Sequence, residues 1–146
     1  AARFDNEVKL RGLSSQVVYQ GKKYGKDKTA FFEQANIFVF PTFYCNEAFP
    51  LVNLEAMEYK LPIVTTDEGG ISDVVKNGEN GLIAKKKDAE SLADCMEKLL
   101  EDKDLREKMG ENGYRKFKSD FTLNVFEARM AEVLEYIIAC EDRENN

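Results

Sequence analysis

The chain has 146 residues, 33% charged and 43% hydrophobic, with a formal net charge of −6. This is one domain with room for its own core, and the balance excludes a disordered chain or a membrane-spanning protein, while the acidic surplus argues against nucleic acid as the main partner. There is no histidine, and Cys45, Cys95 and Cys140 lack metal-ligand spacing, so a zinc site is not expected, a His-dependent nucleophilic mechanism cannot be built from this chain alone, and the thiols read as reduced and cytosolic.

Phe4 to Leu13 has helical periodicity, with Phe4, Val8 and Leu10 towards a core and Gly12 closing the helix. No signal peptide is visible, and this helix-like start reads as a segment of a longer protein. Val17-Val18-Tyr19 is a short strand ending at Gly21, and Lys22 to Lys28 is a basic loop. Asp27 or Thr29 would cap a helix from Ala30 to Ala35. Asn36 to Phe40 is a continuous apolar run, as in a buried parallel strand.

The run Glu47-Ala48-Phe49-Pro50-Leu51-Val52-Asn53-Leu54-Glu55-Ala56-Met57 follows. Pro50 suits the first position of a helix reaching to about Tyr59, because the missing N–H costs nothing there. Glu47 then lies in the loop beyond a strand, and Glu55 about a turn and a half into the helix. Carboxyl ends of parallel strands are where open α/β sheets bind ligands, and a helix start offers free amides to phosphate. The arrangement suits a phosphorylated, hydroxyl-rich ligand.

Leu61-Pro62 breaks that helix, and Ile63-Val64-Thr65 is the next strand. Asp67-Glu68-Gly69-Gly70 turns into a short helix from Ile71 to Lys76. Asn77 to Gly81 is turn chemistry before strand Leu82-Ile83-Ala84. After Lys85-Lys86-Lys87 the chain is helical: Asp88 caps a helix over 89–101 with Leu92, Cys95, Met96 and Leu99 on one face. Two more helices follow, over about 104–117 and from Thr122 to Glu141. The last carries a stripe of Val125, Phe126, Met130, Val133, Leu134, Ile137 and Ile138, read as core packing or an interface with another domain. Strands alternating with helices make the fold α/β with a parallel sheet.

In this order, the segments Val17–Gly21, Ala35–Thr42, Glu47–Met57, Leu61–Val64, Gly69–Asp73, Asn77–Ile83, Asp88–Leu92 and Leu99-Leu100 resemble the C-terminal, donor-binding domain of GT-B glycosyltransferases, in particular the family 4 retaining enzymes (glycosyl transferases group 1). The resemblance implies a Rossmann-like parallel sheet with flanking helices over residues 1–146, with the first strands of that domain and an N-terminal acceptor domain absent. It implies transfer of a sugar from a nucleotide-sugar to a hydroxyl acceptor with retention, without a metal ion or cofactor.

On that resemblance, Glu55 holds the ribose diol, and Glu47, the catalytic candidate, lies by the donor sugar. Ala48, Phe49, Leu51 and Val52 face the sugar and diphosphate, Gly21 lies near the base, and the Gly69-Gly70 turn borders the site. The position after Glu47 is commonly glycine in the family and is Ala48 here, which matters only if a positive φ or a very close ligand is needed. Alternatives from the same fold are a non-catalytic interaction module or a nucleotide-sugar epimerase. A carbohydrate or lipid-linked acceptor would bind through the absent domain, so this chain alone should be inactive.

The missing strands imply that residues 17–19 pair directly with 36–40, or leave a sheet edge open for self-association. The expected location is the cytoplasm, with the inner membrane face open to a peripheral enzyme. Lys22, Lys23, Lys26 and Lys28 read as a solvated loop, as do Lys85–Lys87 unless they meet anionic lipid. Phe43, Tyr44 and Phe49 read as loop packing rather than base stacking, and Cys45 has no activator.

Overall fold

The computed structural model describes residues 2–144, with side chains to residue 140. The chain divides into two compact units, one ending at Gln34 and one starting at Ala35.

The first unit holds α1 (Ala2–Leu10) and α2 (Gly25–Gln34). The end of α1 is set by Gly12, at φ 67°. The Gly12 amide bonds the Lys9 carbonyl and the Leu13 amide bonds the Val8 carbonyl, both at 3.0 Å, which is the Schellman closure expected of glycine at that position. The expected inward face of α1 is not formed: no residue of the helix is buried, and Leu10 is 83% exposed. Helix α2 begins before either expected cap, so Asp27 lies in its first turn, where a carboxylate still complements the dipole. Val17–Tyr19 form no strand. The expected ladder between 17–19 and 36–40 is therefore not formed, because a three-residue run without a ladder partner has nothing to fix it as a strand. The Tyr19 ring instead lies 5.9 Å from that of Phe4.

The second unit is a parallel sheet of β1 (Phe38–Phe40), β2 (Ile63–Thr66) and β3 (Gly81–Ala84), in that spatial order. Phe38 is in register with Ile63, and Ile63 with Gly81. Central β2 reads Ile-Val-Thr-Thr and is buried throughout, as β-branched residues favour on a strand covered on both faces. Its two hydroxyls are satisfied across the sheet end: Thr65 Oγ1 donates to the Phe40 carbonyl at 2.8 Å, and Thr66 Oγ1 to the Thr42 carbonyl. Helix α3 (Leu51–Glu58) connects β1 to β2, and short α4 (Ile71–Val74) connects β2 to β3.

Helix α5 (Ala89–Glu101) follows β3, and its cap is the predicted one: Asp88 Oδ1 accepts from the Ser91 amide at 2.9 Å. Leu99 is buried with Val64, Leu82 and Met109, and Leu92, Cys95 and Met96 pack against them, so the predicted face of α5 is the core face. Burial, then the neighbouring Asp94, push the Cys95 thiol above its ordinary pKa, leaving it a packing residue. Helix α6 (Lys103–Asp120) is capped by Asp102, and α7 is Leu123–Glu144. The stripe on α7 is not core: from Phe126 to Ile138 its large apolar side chains are exposed, Ile138 at 59%.

Helix α6 packs on α3 through glycines. A β-carbon on Gly110 would stand 2.0 Å from the Lys60 carbonyl oxygen, whereas one on Gly113 would meet nothing nearer than Met57 Cγ at 3.4 Å. Lys60 closes α3 at φ 56°, bonding the Met57 carbonyl, while its ammonium pairs with Glu111 at 2.9 Å and stands 4.9 Å from the Tyr114 ring centre. The Lys60 hydrogen bond, against a smaller opposing effect of burial, holds the Glu111 carboxyl below its ordinary pKa. That contribution is present above the ordinary glutamate pKa and is lost as pH falls through the lowered one.

Gly110→Ala should therefore lose roughly 1–3 kcal/mol of stability through overpacking. Gly113→Ala should be neutral, or gain up to about 1 kcal/mol from helix propensity. Chemical denaturation of both variants checks this, and equal losses would contradict the packing described.

Candidate functional site at the carboxyl ends of the strands

Beyond β1 the chain does not spread into solvent, because it is tied down at short intervals. The Tyr44 amide bonds Thr42 Oγ1 at 3.2 Å, and the Glu47 amide bonds the Tyr44 carbonyl at 2.9 Å. With Thr66 holding the Thr42 carbonyl, the loop leaves β1 fastened to the end of β2. Glu47 is half-buried at the end of this path.

The turn after β2 then closes on that loop. The Gly70 amide donates to the Ala48 carbonyl at 2.8 Å. Gly69 has φ 52°, and a β-carbon there would lie 1.5 Å from the Glu47 carbonyl oxygen; one on Gly70 would lie 2.5 Å from the Ala48 oxygen. Both glycines are thus required by close backbone approach, and Gly69 also by its dihedral. The structure brings Glu47, Ala48, Gly69 and Gly70 together as the sequence reading expected. Ala48 itself is not among the residues with positive φ, so its methyl group is compatible with the loop.

Pro50 is the residue before α3 rather than its first, at φ −76° and ψ 103°, and no side chain caps the helix. Leu51 and Val52 form the first turn, and Glu55 follows on the same short helix. Glu55 is half-buried, and its Oε2 is enclosed by protein. Met57 and Ala56, fully buried, anchor the helix and so fix where Glu55 emerges. Of the predicted site residues, Gly21 alone belongs to the first unit, at φ 68° with open space around its Cα.

Phe49 does pack, with its ring 6.0 Å from that of Phe121 at the end of α6. Phe43 and Tyr44 do not pack the loop, being 59% and 60% exposed. Beside Phe49 runs an apolar groove of about 660 Å³, lined by Leu54, Phe121, Phe126, Met130 and Val133. The sequence reading missed Phe121 and also Lys116, whose ammonium donates to the Asp73 carbonyl at 2.6 Å and stands 5.9 Å from the Phe121 ring. Burial, then repulsion from Lys76, lowers the Lys116 pKa from its ordinary value. Neither residue had a sequence signal, since an aromatic and a lysine near a helix end are ordinary. Cys45 is exposed and unpaired by any disulfide.

A parallel sheet flanked by helices, with its loops gathered at the strand carboxyl ends and a glycine turn closing on the loop that carries Glu47, is an α/β fold of the kind whose strand ends face ligands. A family model, "Glycosyl transferases group 1", matches residues 1–116, and the chain belongs to that family. The chain is 38% identical over 103 residues to a capsular polysaccharide biosynthesis glycosyltransferase, CapM, of Staphylococcus aureus, a match covering 70% of this chain and 27% of CapM. Among solved structures it resembles sucrose-phosphate synthase of Thermosynechococcus elongatus (TM-score 0.83, 26% identity, 95% of this chain and 34% of that one). It also shares the fold of Anabaena HepE, solved in complex with UDP (TM-score 0.84, 21% identity, 92% of this chain and 36% of that one). The chain thus spans about a third of the length of these proteins. The fold is that of GT-B glycosyltransferases, as the resemblance implied, and these relatives lend the epimerase alternative no support.

Gly69→Ala should cost on the order of 2–4 kcal/mol, combining the left-handed backbone penalty with overpacking. Gly70→Ala should cost less. Thermal melts of both variants test this, and a Gly69→Ala protein as stable as the parent would contradict the closure described.

Proposed function

We propose that this chain holds the nucleotide-sugar donor in a retaining glycosyltransferase that passes a sugar to a hydroxyl acceptor. The observation that carries this reading is the closure of the Gly69-Gly70 turn on the backbone of Glu47 and Ala48, which sets one carboxylate in a fixed loop beside the helix that bears the other. Glu55 accepts hydrogen bonds from the vicinal ribose hydroxyls, a task that suits a charged acceptor. Glu47 holds a hydroxyl of the donor sugar and stabilises positive charge at the anomeric carbon as the leaving diphosphate departs. Amides around Ala48, Phe49, Leu51 and Val52 receive the diphosphate, aided by the positive end of α3, with the Gly69-Gly70 turn bordering it.

The complex of Anabaena HepE with UDP supports a nucleotide-linked donor. The role of CapM supports a carbohydrate product, and polysaccharide assembly is the process we assign. The reaction proceeds without a metal ion or cofactor, with the acceptor held by a further domain. No helix among the described residues is long and apolar enough to cross a membrane. We place the enzyme in the cytoplasm, at the membrane face when the acceptor is lipid-linked.

In a transferase carrying this chain, Glu55→Ala should raise the donor KM roughly 10- to 100-fold, the worth of hydrogen bonds to a charged group. Glu47→Ala should lower kcat by about 100-fold or more with a smaller change in KM. Steady-state kinetics read both, and unchanged constants in the two variants would refute the assignment.

A further inference from the structure

The loop after β3 meets a different part of the β1 loop from the one the glycine turn closes. Between them, at the carboxyl ends of all three strands, is a crevice of about 290 Å³ lined by Pro41, Phe43, Thr66, Lys85, Lys87 and Leu92. The three lysines of this loop have different tasks. Lys86 pairs with Glu68 at 2.9 Å, tying the β3 loop to the turn after β2. Lys85 and Lys87 line the crevice, and neither ammonium has a carboxylate within ion-pair reach among the described residues. The one carboxylate at the rim, Asp88, is engaged by the Ser91 amide at the start of α5.

Lys87 is, among the described residues, one of two non-glycine residues with positive φ, at 59°. A left-handed conformation costs a lysine about 1–2 kcal/mol, and glycine would take it freely. In return, the ammonium is held 5.4 Å from the centre of the exposed Phe43 ring. Two lysines without an ion-pair partner against a single rim carboxylate, an apolar wall and a left-handed backbone at Lys87 are what an anionic group carried on a larger molecule requires.

We propose that this crevice is an anion subsite that takes a phosphate carried by the acceptor, with Lys85 and Lys87 supplying the charge and Phe43 packing against the group that bears it. The inference rests on the transferase reading, and it gives that acceptor a chemical class: a phosphorylated sugar or a phospholipid-like carrier. It also makes this chain a contributor to acceptor binding as well as donor binding.

The test is a titration of the ¹⁵N-labelled chain, followed by amide shifts, with glucose 1-phosphate in one arm and phosphatidylglycerol vesicles in the other, phosphatidylcholine vesicles serving as control. Shifts at Phe43 and Lys85–Ala89 are expected in at least one arm, and Lys85→Gln with Lys87→Gly should weaken them roughly tenfold or more. Response to glucose 1-phosphate identifies a soluble source, and response to phosphatidylglycerol alone a lipid one. Lys87→Gly should melt no lower than the parent, because glycine relieves the positive φ, so lost binding there cannot be lost folding. Glu55→Ala should leave these shifts in place, which separates failure of the subsite from failure of the donor assignment. No response in either arm, equal response to phosphatidylcholine, or shifts unaltered by the lysine variants would overturn the proposal.

Discussion

The site depends on the approach of Gly69 and Gly70 to the carbonyls of Glu47 and Ala48. No side chain larger than hydrogen fits at either position, and the single hydrogen bond from Gly70 to Ala48 is satisfied only at that distance. Two loops that would otherwise move independently at the ends of β1 and β2 become one surface. The loop carrying Glu47 is thereby positioned by backbone contacts.

The rest of the second unit maintains this contact. Thr65 and Thr66 attach the end of β1 to β2, so the loop starts from a fixed point. Buried Ala56 and Met57 seat α3, and the glycine face of α6 lets that helix pack closely behind it. The left-handed Lys60 then turns the chain into β2 within two residues. Helix α5, packed through Leu99 on Val64 and Leu82, keeps β3 in register. A change at Gly110 would thus reach Glu55 through α3, although Gly110 itself lies outside the site.

Signals that act over a few residues were legible in the sequence. Asp88 and the stripe of α5, the Gly12 closure and the two-glycine turn all follow from local chemistry, and each has the predicted form. What depends on distant partners was not legible. Val17–Tyr19 has strand composition but no strand beside it, and the apolar stripe of α7 has the pattern of a core helix without a core to cover it. Pro50 misled by one position, since its φ serves the residue before a helix as well as the first one within it. The Phe49–Phe121 contact and the Lys116 bond to Asp73 join segments more than forty residues apart, and no spacing rule announces them.

The most direct measurement is calorimetric titration of the protein with UDP and with GDP, repeated on Glu55→Ala. The account predicts that one of the two nucleotides binds and that the variant loses that binding. A nucleotide held with equal affinity by both proteins would contradict it, because the ribose would then be held by something other than the carboxylate on α3.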